Sequence, residues 1–209
     1  MSVNIALPKG RLADKTLELM KRAGILKKVE DAGRKLVFED ESGFVRYFLV
    51  KPWDVPVYVE RGIADIGVAG KDILTENSPD VYELLDLKTG KCRMCVCAKN
   101  GYVDRPGATL RVATKFVNTA KGYYASMGRR IEIIKLNGSI ELAPLMDMSD
   151  VIVDLVETGT TLKENDMRVV TIIAEISARL IANKASYRFK REEIDRITSE
   201  LGALINENN

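Results

Sequence analysis

Short apolar runs alternate with amphipathic segments along almost the whole chain, and this alternation restricts the fold more than any other feature of the sequence. Val3 to Leu7, Ala64 to Ala69 and Val151 to Asp154 are apolar runs of strand length. Arg11 to Ala23 instead places its apolar residues on one face of a helix. Strands and helices that take turns in this way are typical of α/β proteins. The sequence therefore predicts an α/β fold with mostly parallel sheets.

The same pattern predicts two lobes. A new series of strands and helices begins near residue 90 and ends near residue 175. We therefore expect one discontinuous lobe of residues 1–89 plus 176–209 and a second lobe of residues 90–175. The segment from Ser177 onwards is predicted to be helical, because its apolar residues recur at helical spacing. A cleft between two such lobes is the natural place for a ligand.

Histidine is absent from the 209 residues, and this absence restricts the chemistry. A Ser-His-Asp triad, a histidine general base and a His-ligated metal are all excluded within this chain. The 32 Lys and Arg residues nearly balance the 30 Asp and Glu residues, whereas a nucleic-acid-binding protein usually carries a large basic excess. The N-terminus lacks a signal-peptide pattern, and no uncharged run is long enough to span a membrane. We expect a cytoplasmic protein that binds neither nucleic acid nor membrane.

The three cysteines, Cys92, Cys95 and Cys97, lie close together in one apolar segment. An odd, clustered set in a cytoplasmic chain is not a disulfide framework. Neither a histidine nor a fourth cysteine is present to complete a zinc site. We interpret the three residues as small apolar side chains of a buried strand.

The segment from Val151 to Leu162 carries the most specific chemical signal. An apolar strand ends in Asp154, and a loop of small hydroxyl residues around Gly159 leads into a helix. The backbone N–H groups of Glu157 to Thr161 can converge on a phosphate dianion, together with the threonine hydroxyls and the start of the helix. Asp154 could then accept hydrogen bonds from sugar hydroxyls. The same residues also fit an ordinary strand-to-helix turn, and neither a P-loop nor a Gly-x-Gly-x-x-Gly motif occurs.

Four segments, in order along the chain, carry a resemblance to a known family. They are residues 6–12 (ALPKGRL), 59–72 (VERGIADIGVAGKD), 135–144 (KLNGSIELAP) and 154–161 (DLVETGTT). Together they closely resemble the ATP phosphoribosyltransferases, which begin histidine biosynthesis, and the resemblance extends over essentially the whole chain. The length is similar to that of the short form of the family, which lacks the C-terminal regulatory domain of longer members.

The resemblance implies a fold, a reaction and partners. The fold would be the two-lobed one of type II periplasmic binding proteins, with a cleft between the lobes. The chain would be a catalytic subunit, a pentosyl-group transferase, that transfers the 5-phosphoribosyl group of phosphoribosyl pyrophosphate to N1 of ATP. Pyrophosphate would leave, and Mg²⁺ would be the cofactor. The implied assembly is a homodimer of catalytic chains within a hetero-octamer, four of them with four regulatory subunits similar to histidyl-tRNA synthetase.

The resemblance also assigns roles to matching residues around the phosphate loop. Asp154 would hold the ribose hydroxyls. The 5-phosphate would be held by the loop residues Glu157, Thr158, Gly159, Thr160 and Thr161.

Charged residues elsewhere would act on the leaving group and on ATP. Lys9 and Arg11 would lie near the triphosphate or the pyrophosphate, and Arg34 would stabilise the departing pyrophosphate, so these three are the candidate catalytic residues. The candidates for contacts with ATP or its Mg²⁺ are Arg46, Lys51, Asp72 and Glu141. The two acids among them also begin predicted helices, where a carboxylate compensates the helix dipole. No residue is assigned as a direct metal ligand.

Two other functions fit parts of the sequence. A cytosolic ligand-sensing module of the periplasmic-binding-protein fold would also have two lobes. A type I purine or pyrimidine phosphoribosyltransferase would also carry the phosphate loop. Type I enzymes, however, place two adjacent acids before that loop, and this sequence has Val153 in the first position. A sensor, in turn, gives no reason for the Thr-Gly-Thr-Thr loop after Asp154.

Overall fold

The structure is a computed structural model in which residues 2–27 and 35–207 are described. These residues form two compact units, each built on one sheet. The first unit comprises the described residues within 1–74, 78–90 and 177–209, and the second those within 75–77 and 91–176. No helix in the described part of the chain is both long and apolar enough to cross a membrane.

The first unit contains a six-stranded sheet among its described residues, in the spatial order β2-β3-β1-β4-β11-β5. Numbered along the chain, its strands are β1 (Val3–Pro8), β2 (Val37–Glu39), β3 (Val45–Val50), β4 (Ile66–Gly70), β5 (Val81–Asp86) and β11 (Ala178–Asn183). The helices that belong to it or begin in it are α1 (Arg11–Arg22), α2 (Val55–Glu60), α3 (Lys71–Asn77), α7 (Lys184–Phe189) and α8 (Arg191–Glu207). A short 3₁₀ helix at Pro52–Asp54 precedes α2.

Both faces of this sheet are covered by helices. Ile5 and Leu7 of β1 are fully buried in a core that also contains Met20 of α1 and Ile197 of α8. Ala6, on the opposite face, packs in a second core with residues of α2. A strand buried on both faces reads as a continuous apolar run, as β1 does. Because β1 is parallel to both β3 and β4, the carboxyl ends of these three strands lie at the same edge of the sheet.

The second unit contains a five-stranded sheet among its described residues, in the spatial order β10-β6-β9-β7-β8. Its strands are β6 (Cys92–Lys99), β7 (Leu110–Thr114), β8 (Ile131–Lys135), β9 (Val151–Val156) and β10 (Met167–Ile176). Its helices are α4 (Val117–Ser126), α5 (Leu142–Leu145) and α6 (Thr160–Glu164). β9 is parallel to β7 and antiparallel to β6, so it is hydrogen-bonded on both sides.

The interpretation of the cysteine segment as a buried strand is confirmed. β6 directs Met94 and Val96 into the core on one face of the sheet and Cys95 and Cys97 into the core on the other. All three cysteines are free thiols, and Cys92 is only partly buried.

Two expectations about the strands were wrong. Among the described strand pairs four are parallel and five antiparallel, so the sheets are mixed rather than mostly parallel. The chain after Ser177 first forms a strand, β11, and becomes helical only at α7. β11 buries Leu180 on one face and Ile181 on the other. A short apolar run buried on both faces lacks the alternation that distinguishes a strand from a buried helix.

Gly67 of β4 tests the packing of α2 on the first sheet. A Cβ at this position would come within 2.7 Å of Cγ2 of Val59 and 2.9 Å of Cγ1 of Val55. We expect Gly67→Ala to lower the free energy of unfolding by about 1–3 kcal/mol through overpacking, measured by urea denaturation. Gly107→Ala is the control, because no atom lies within 4 Å of a Cβ there. Equal stability of the two variants would contradict this packing.

Candidate functional site

The edge of the second sheet where β7, β8 and β9 end is the natural place for a ligand. β7 is parallel to both β8 and β9, so the carboxyl ends of all three strands lie at this edge. β8 lies on one side of β7. The strand that follows β8 along the chain, β9, lies on the opposite side of β7. Ligands of open α/β sheets bind outside the carboxyl ends of the strands at such a reversal of strand order. The loop after β9 emerges there.

That loop is the predicted phosphate-binding segment, and its backbone has the required turn. Gly159 has φ +78° and ψ +8°, a left-handed conformation that glycine adopts without strain. The helix α6 then begins at Thr160, and its first amides have no carbonyl partner within the helix. The hydroxyl oxygens of Thr158 and Thr160 are 3.0 Å apart, and the carbonyl of Thr161 accepts a hydrogen bond from Asn165 at 2.8 Å. Backbone amides and threonine hydroxyls are therefore gathered in one short loop, where the N–H of Thr160 and the hydroxyls of Thr158 and Thr160 contact one another.

A cavity of about 240 Å³ lies against the loop. The predicted site residues that line it are Glu141, Asp154, Glu157, Thr158, Gly159, Thr160 and Thr161. It is smaller than the pockets of about 300–1,000 Å³ that take drug-sized ligands, which suits a sugar phosphate better than a whole nucleotide. Among the residues described as lining it, every charged side chain is acidic. An anion would therefore be held by backbone N–H groups and threonine hydroxyls.

Asp154 lies in the fourth position of β9 and is partly exposed to the cavity. Its Oδ1 accepts a hydrogen bond from the backbone N–H of Leu155 at 2.8 Å. Beside it, the fully buried Cys97 also lines the cavity. Burial, followed by the charges of Cys95 and Asp154, raises the pKa of the Cys97 thiol to about 12. This cysteine therefore remains a neutral thiol at ordinary pH.

Glu141, which was predicted to contact ATP, lines this cavity. It directly precedes α5 and is half-buried. It belongs to the second unit, whereas Arg46, Lys51 and Asp72 belong to the first. The helix that it was predicted to begin is present and contains the four residues Leu142–Leu145.

In the first unit, three predicted residues follow neighbouring strands at one sheet edge. Lys9 follows β1, Lys51 follows β3, and Asp72 lies in the first turn of the helix after β4. The N–H of Lys9 donates to the carbonyl of Val50 at 2.7 Å. Because Lys51 directly follows Val50, the backbones of Lys9 and Lys51 lie close together. Arg11 begins α1 two residues after Lys9 and is exposed. This edge therefore combines basic side chains with one acid.

Asp72 is the least accessible member of this group, with a relative exposure of 9%. Its carboxylate lies over Gly70, where any Cβ would collide with Oδ1. The neighbouring Lys71 is paired with Glu83 at 2.6 Å. The carboxylate of Asp72 is thus held close to the start of its own helix.

One described residue, Arg46, is not brought to either group. Arg46 is the second residue of β3, whereas Lys51 follows the last residue of that strand. Its Nε donates to Oδ1 of Asn4 at 2.9 Å. Arg34 lies outside the described residues.

Sequence reasoning missed the apolar lining of the cavity, which consists of Cys97, Ile152, Leu155, Val156 and Leu162. Cys97 meets Ile152 only because β6 and β9 pair antiparallel in that register. No local sequence signal reports such a long-range pairing. Within the described chain, no group of three or more Cys, Asp or Glu side chains could hold a metal ion.

Comparisons with known proteins give one consistent result. The sequence model of the HisG family, described as ATP phosphoribosyltransferase, matches residues 51–203. An ATP phosphoribosyltransferase of Brachyspira hyodysenteriae is 58% identical over 97% of this chain and 100% of that protein. Among solved structures, the ATP phosphoribosyl transferase (HisG:HisZ) complex from Thermotoga maritima is similar, with a TM-score of 0.84 and 36% identity over 99% of both chains.

A more distant likeness concerns the fold alone. A probable amino-acid ABC transporter extracellular-binding protein, ytmK from Bacillus subtilis, has a TM-score of 0.62 at 13% identity, over 99% of this chain and 93% of that chain. The predicted α/β fold of the type II periplasmic-binding-protein kind is thereby confirmed.

Gly159 tests whether the loop binds a phosphate. An alanine there must adopt a positive φ, at a cost of about 1–2 kcal/mol, although its Cβ would make only an ordinary contact with Val156 at 3.8 Å. We expect Gly159→Ala to weaken binding of ribose 5-phosphate by about 5- to 30-fold, measured by titration calorimetry. Gly122→Ala, on α4 with open space around its Cβ, should bind as the unchanged chain does. Equal affinity of both variants would place the phosphate elsewhere.

Proposed function

The chain belongs to the ATP phosphoribosyltransferase family, and from this premise we propose how its residues divide the reaction between them. It is a pentosyl-group transferase of histidine biosynthesis that joins the 5-phosphoribosyl group of phosphoribosyl pyrophosphate to N1 of ATP. The products are N1-(5-phosphoribosyl)-ATP and pyrophosphate. The observation that carries the assignment of the site is the β9–α6 loop over a small cavity that also contains Asp154.

The phosphoribosyl group binds in this cavity of the second unit. The amides of Glu157 to Thr161 and the hydroxyls of the three threonines in that segment bind the 5-phosphate. Asp154 accepts hydrogen bonds from the ribose. Support comes from the left-handed Gly159, the start of α6 directly after it and the absence of basic side chains among the described lining residues. A phosphate that forms no ion pair with the protein has to be bound by neutral donors such as backbone amides and hydroxyls.

The nucleotide and the leaving group are assigned to basic residues of the first unit. Lys9, Arg11 and Lys51, at or next to the carboxyl ends of β1 and β3, bind triphosphate or pyrophosphate oxygens. Arg34 stabilises the departing pyrophosphate. Arg46 is a weaker candidate, because it lies near the start of β3, where its guanidinium donates a hydrogen bond to Asn4 of β1.

The chemistry needs positioning and charge more than proton transfer. N1 of adenine has a free lone pair, so no general base has to generate the nucleophile. The barrier arises from a developing cationic sugar and a departing polyanion, which fixed cations and dipoles stabilise. Arg and Lys side chains with backbone amides supply these groups, which agrees with a chain that contains no histidine.

Mg²⁺ fits this arrangement as a companion of the substrate. Mg²⁺ usually keeps several waters and binds through substrate phosphates with one or two carboxylates, and the described residues offer no larger cluster of acids. Asp72, beside the basic residues of the first unit, is the candidate protein carboxylate. The ion would neutralise charge on the departing pyrophosphate.

The assembly is also proposed. The similar solved structure from Thermotoga maritima is a HisG:HisZ complex, and we assign to this chain a regulatory partner of that kind, similar to histidyl-tRNA synthetase. A homodimer of catalytic chains within a hetero-octamer of four plus four is the proposed stoichiometry. The proposed lobes are residues 1–89 plus 176–209 and residues 90–175.

The alternatives drawn from the sequence are less well supported. A ligand-sensing module shares only the fold, since the binding-protein likeness is 13% identical. A type I phosphoribosyltransferase would have an acid at position 153. This chain has Val153 there, and its side chain is fully buried in the core.

Adduct formation tests the proposed function. The chain is mixed with ATP, phosphoribosyl pyrophosphate and Mg²⁺, with and without the regulatory subunit, and the near-ultraviolet absorbance of the N1 adduct is followed. We expect Asp154→Asn to lower kcat/KM for phosphoribosyl pyrophosphate about 10- to 100-fold, since a hydrogen bond to a charged group contributes about 1.5–3 kcal/mol. Asp147→Asn, on an exposed side chain outside the cavity, is the control. No adduct in either mixture would contradict the proposal.

A further inference from the structure

The pairing of β9 with its two neighbouring strands ends at different residues. The register between β7 and β9 ends with the pair of Thr114 and Val153, whereas β6 accompanies β9 as far as Val156. Asp154 is therefore the first residue of β9 that pairs, among the described strands, with β6 alone. A side chain that has to meet a ligand at such a strand end needs a further constraint on the side where pairing has stopped.

The hydroxyl group of Thr114 supplies this constraint. Its Oγ1 donates to the carbonyl oxygen of Val153 at 2.6 Å and accepts the N–H of Phe116 at 2.8 Å. All three residues are fully buried, so water cannot take the place of either hydrogen bond. Phe116 directly precedes α4. One buried hydroxyl therefore joins the end of β7 to β9 and to the residue from which α4 starts.

The geometry of the peptide bond carries the effect of this hydrogen bond to Asp154. The carbonyl of Val153 and the N–H of Asp154 belong to one planar peptide unit, so a donor that holds the oxygen also fixes the orientation of that unit. On its other side, Asp154 pairs with Cys95 of β6. Thr114 is not among the described residues that line the loop cavity. It can therefore act on a ligand there only through the backbone that directs the Asp154 carboxylate.

We propose that Thr114 is a positioning residue for the phosphoribosyl group, because its hydroxyl holds the peptide unit from which the Asp154 carboxylate faces the ribose. The proposal rests on the proposed function and deepens it, since it adds a residue that lies outside the cavity. A merely structural role would make ligand binding follow the stability of the fold. A positioning role makes binding depend on the hydroxyl itself, even where stability is equal.

Binding of ribose 5-phosphate without ATP or Mg²⁺ tests the role of the hydroxyl. Thr114→Val puts a methyl group in its place and removes the hydrogen bonds with Val153 and Phe116. We expect this variant to bind the probe about 5- to 50-fold more weakly than the unchanged chain, measured by titration calorimetry. KM for phosphoribosyl pyrophosphate should rise in parallel, whereas KM for ATP should not change.

Two further variants separate the hydroxyl from stability. Thr114→Ser keeps the hydroxyl and should retain the affinity for ribose 5-phosphate, although the loss of a buried methyl group lowers its stability in urea. Thr16→Val is the matched control in the first unit. Thr16 is also fully buried, and its Oγ1 donates to the carbonyl of Leu12 at 2.7 Å. This control should bind the probe as the unchanged chain does, whatever its stability.

A double-mutant cycle tests whether Thr114 acts through Asp154. In a chain that already carries Asp154→Ala, Thr114→Val should lower kcat/KM for phosphoribosyl pyrophosphate by less than about twofold further, because residues that act as a unit are not additive. An equal loss in both backgrounds would show that the hydroxyl acts independently of the carboxylate and would contradict the proposal.

The outcomes distinguish this proposal from the proposed function. Normal affinity of Thr114→Val for ribose 5-phosphate, or an equal loss of affinity in Thr114→Ser, would overturn the positioning role and leave the proposed function intact. An unchanged chain that forms no adduct and binds no ribose 5-phosphate would overturn both. If Thr114→Val does not fold, Thr114→Ala takes its place with the same expected loss.

Discussion

The central position of β9 is the constraint on which the candidate site depends. β9 is hydrogen-bonded to β6 on one side and to β7 on the other. Val151 and Val153 are buried in the core on one face, and Ile152 in the core on the other. A strand held in this way cannot shift by one residue without turning its side chains to the wrong faces. The end of the strand is therefore fixed, and the loop that follows begins from a rigid support, as a site that works by position requires.

The division of charge follows from this support. In the second unit the cavity is lined by a loop with amides and threonine hydroxyls and by carboxylates, with no basic side chain among the described lining residues. In the first unit, the edge where β1 and β3 end carries Lys9, Arg11 and Lys51. Each group of residues suits one kind of ligand chemistry: hydroxyls and a monoester in the one, polyphosphate in the other. A reaction with its own lone pair as nucleophile and a polyanion as leaving group can proceed on these groups without histidine.

How far the sequence predicts the structure depends on how local each feature is. The turn at Gly159 and the helix start after it could be predicted from a few neighbouring residues, although β9 ends at Val156, two residues later than the predicted strand end at Asp154. The cysteine strand could be predicted for the same reason. The strand β11 could not, since burial on both faces removed its alternation. The presence of Glu141 in the cavity depends on how distant segments meet in the second unit, which no local pattern reports.

Nuclear magnetic resonance tests directly whether the β9–α6 loop binds the 5-phosphate. Backbone amide signals of the ¹⁵N-labelled chain are followed while ribose 5-phosphate is added. We expect saturable shifts of the amides of Gly159, Thr160 and Thr161, because an amide proton that donates to a phosphate oxygen changes its chemical environment most. The amides of Lys9 to Arg11 should move little. Shifts confined to Lys9 to Arg11, with an unchanged loop, would contradict the account.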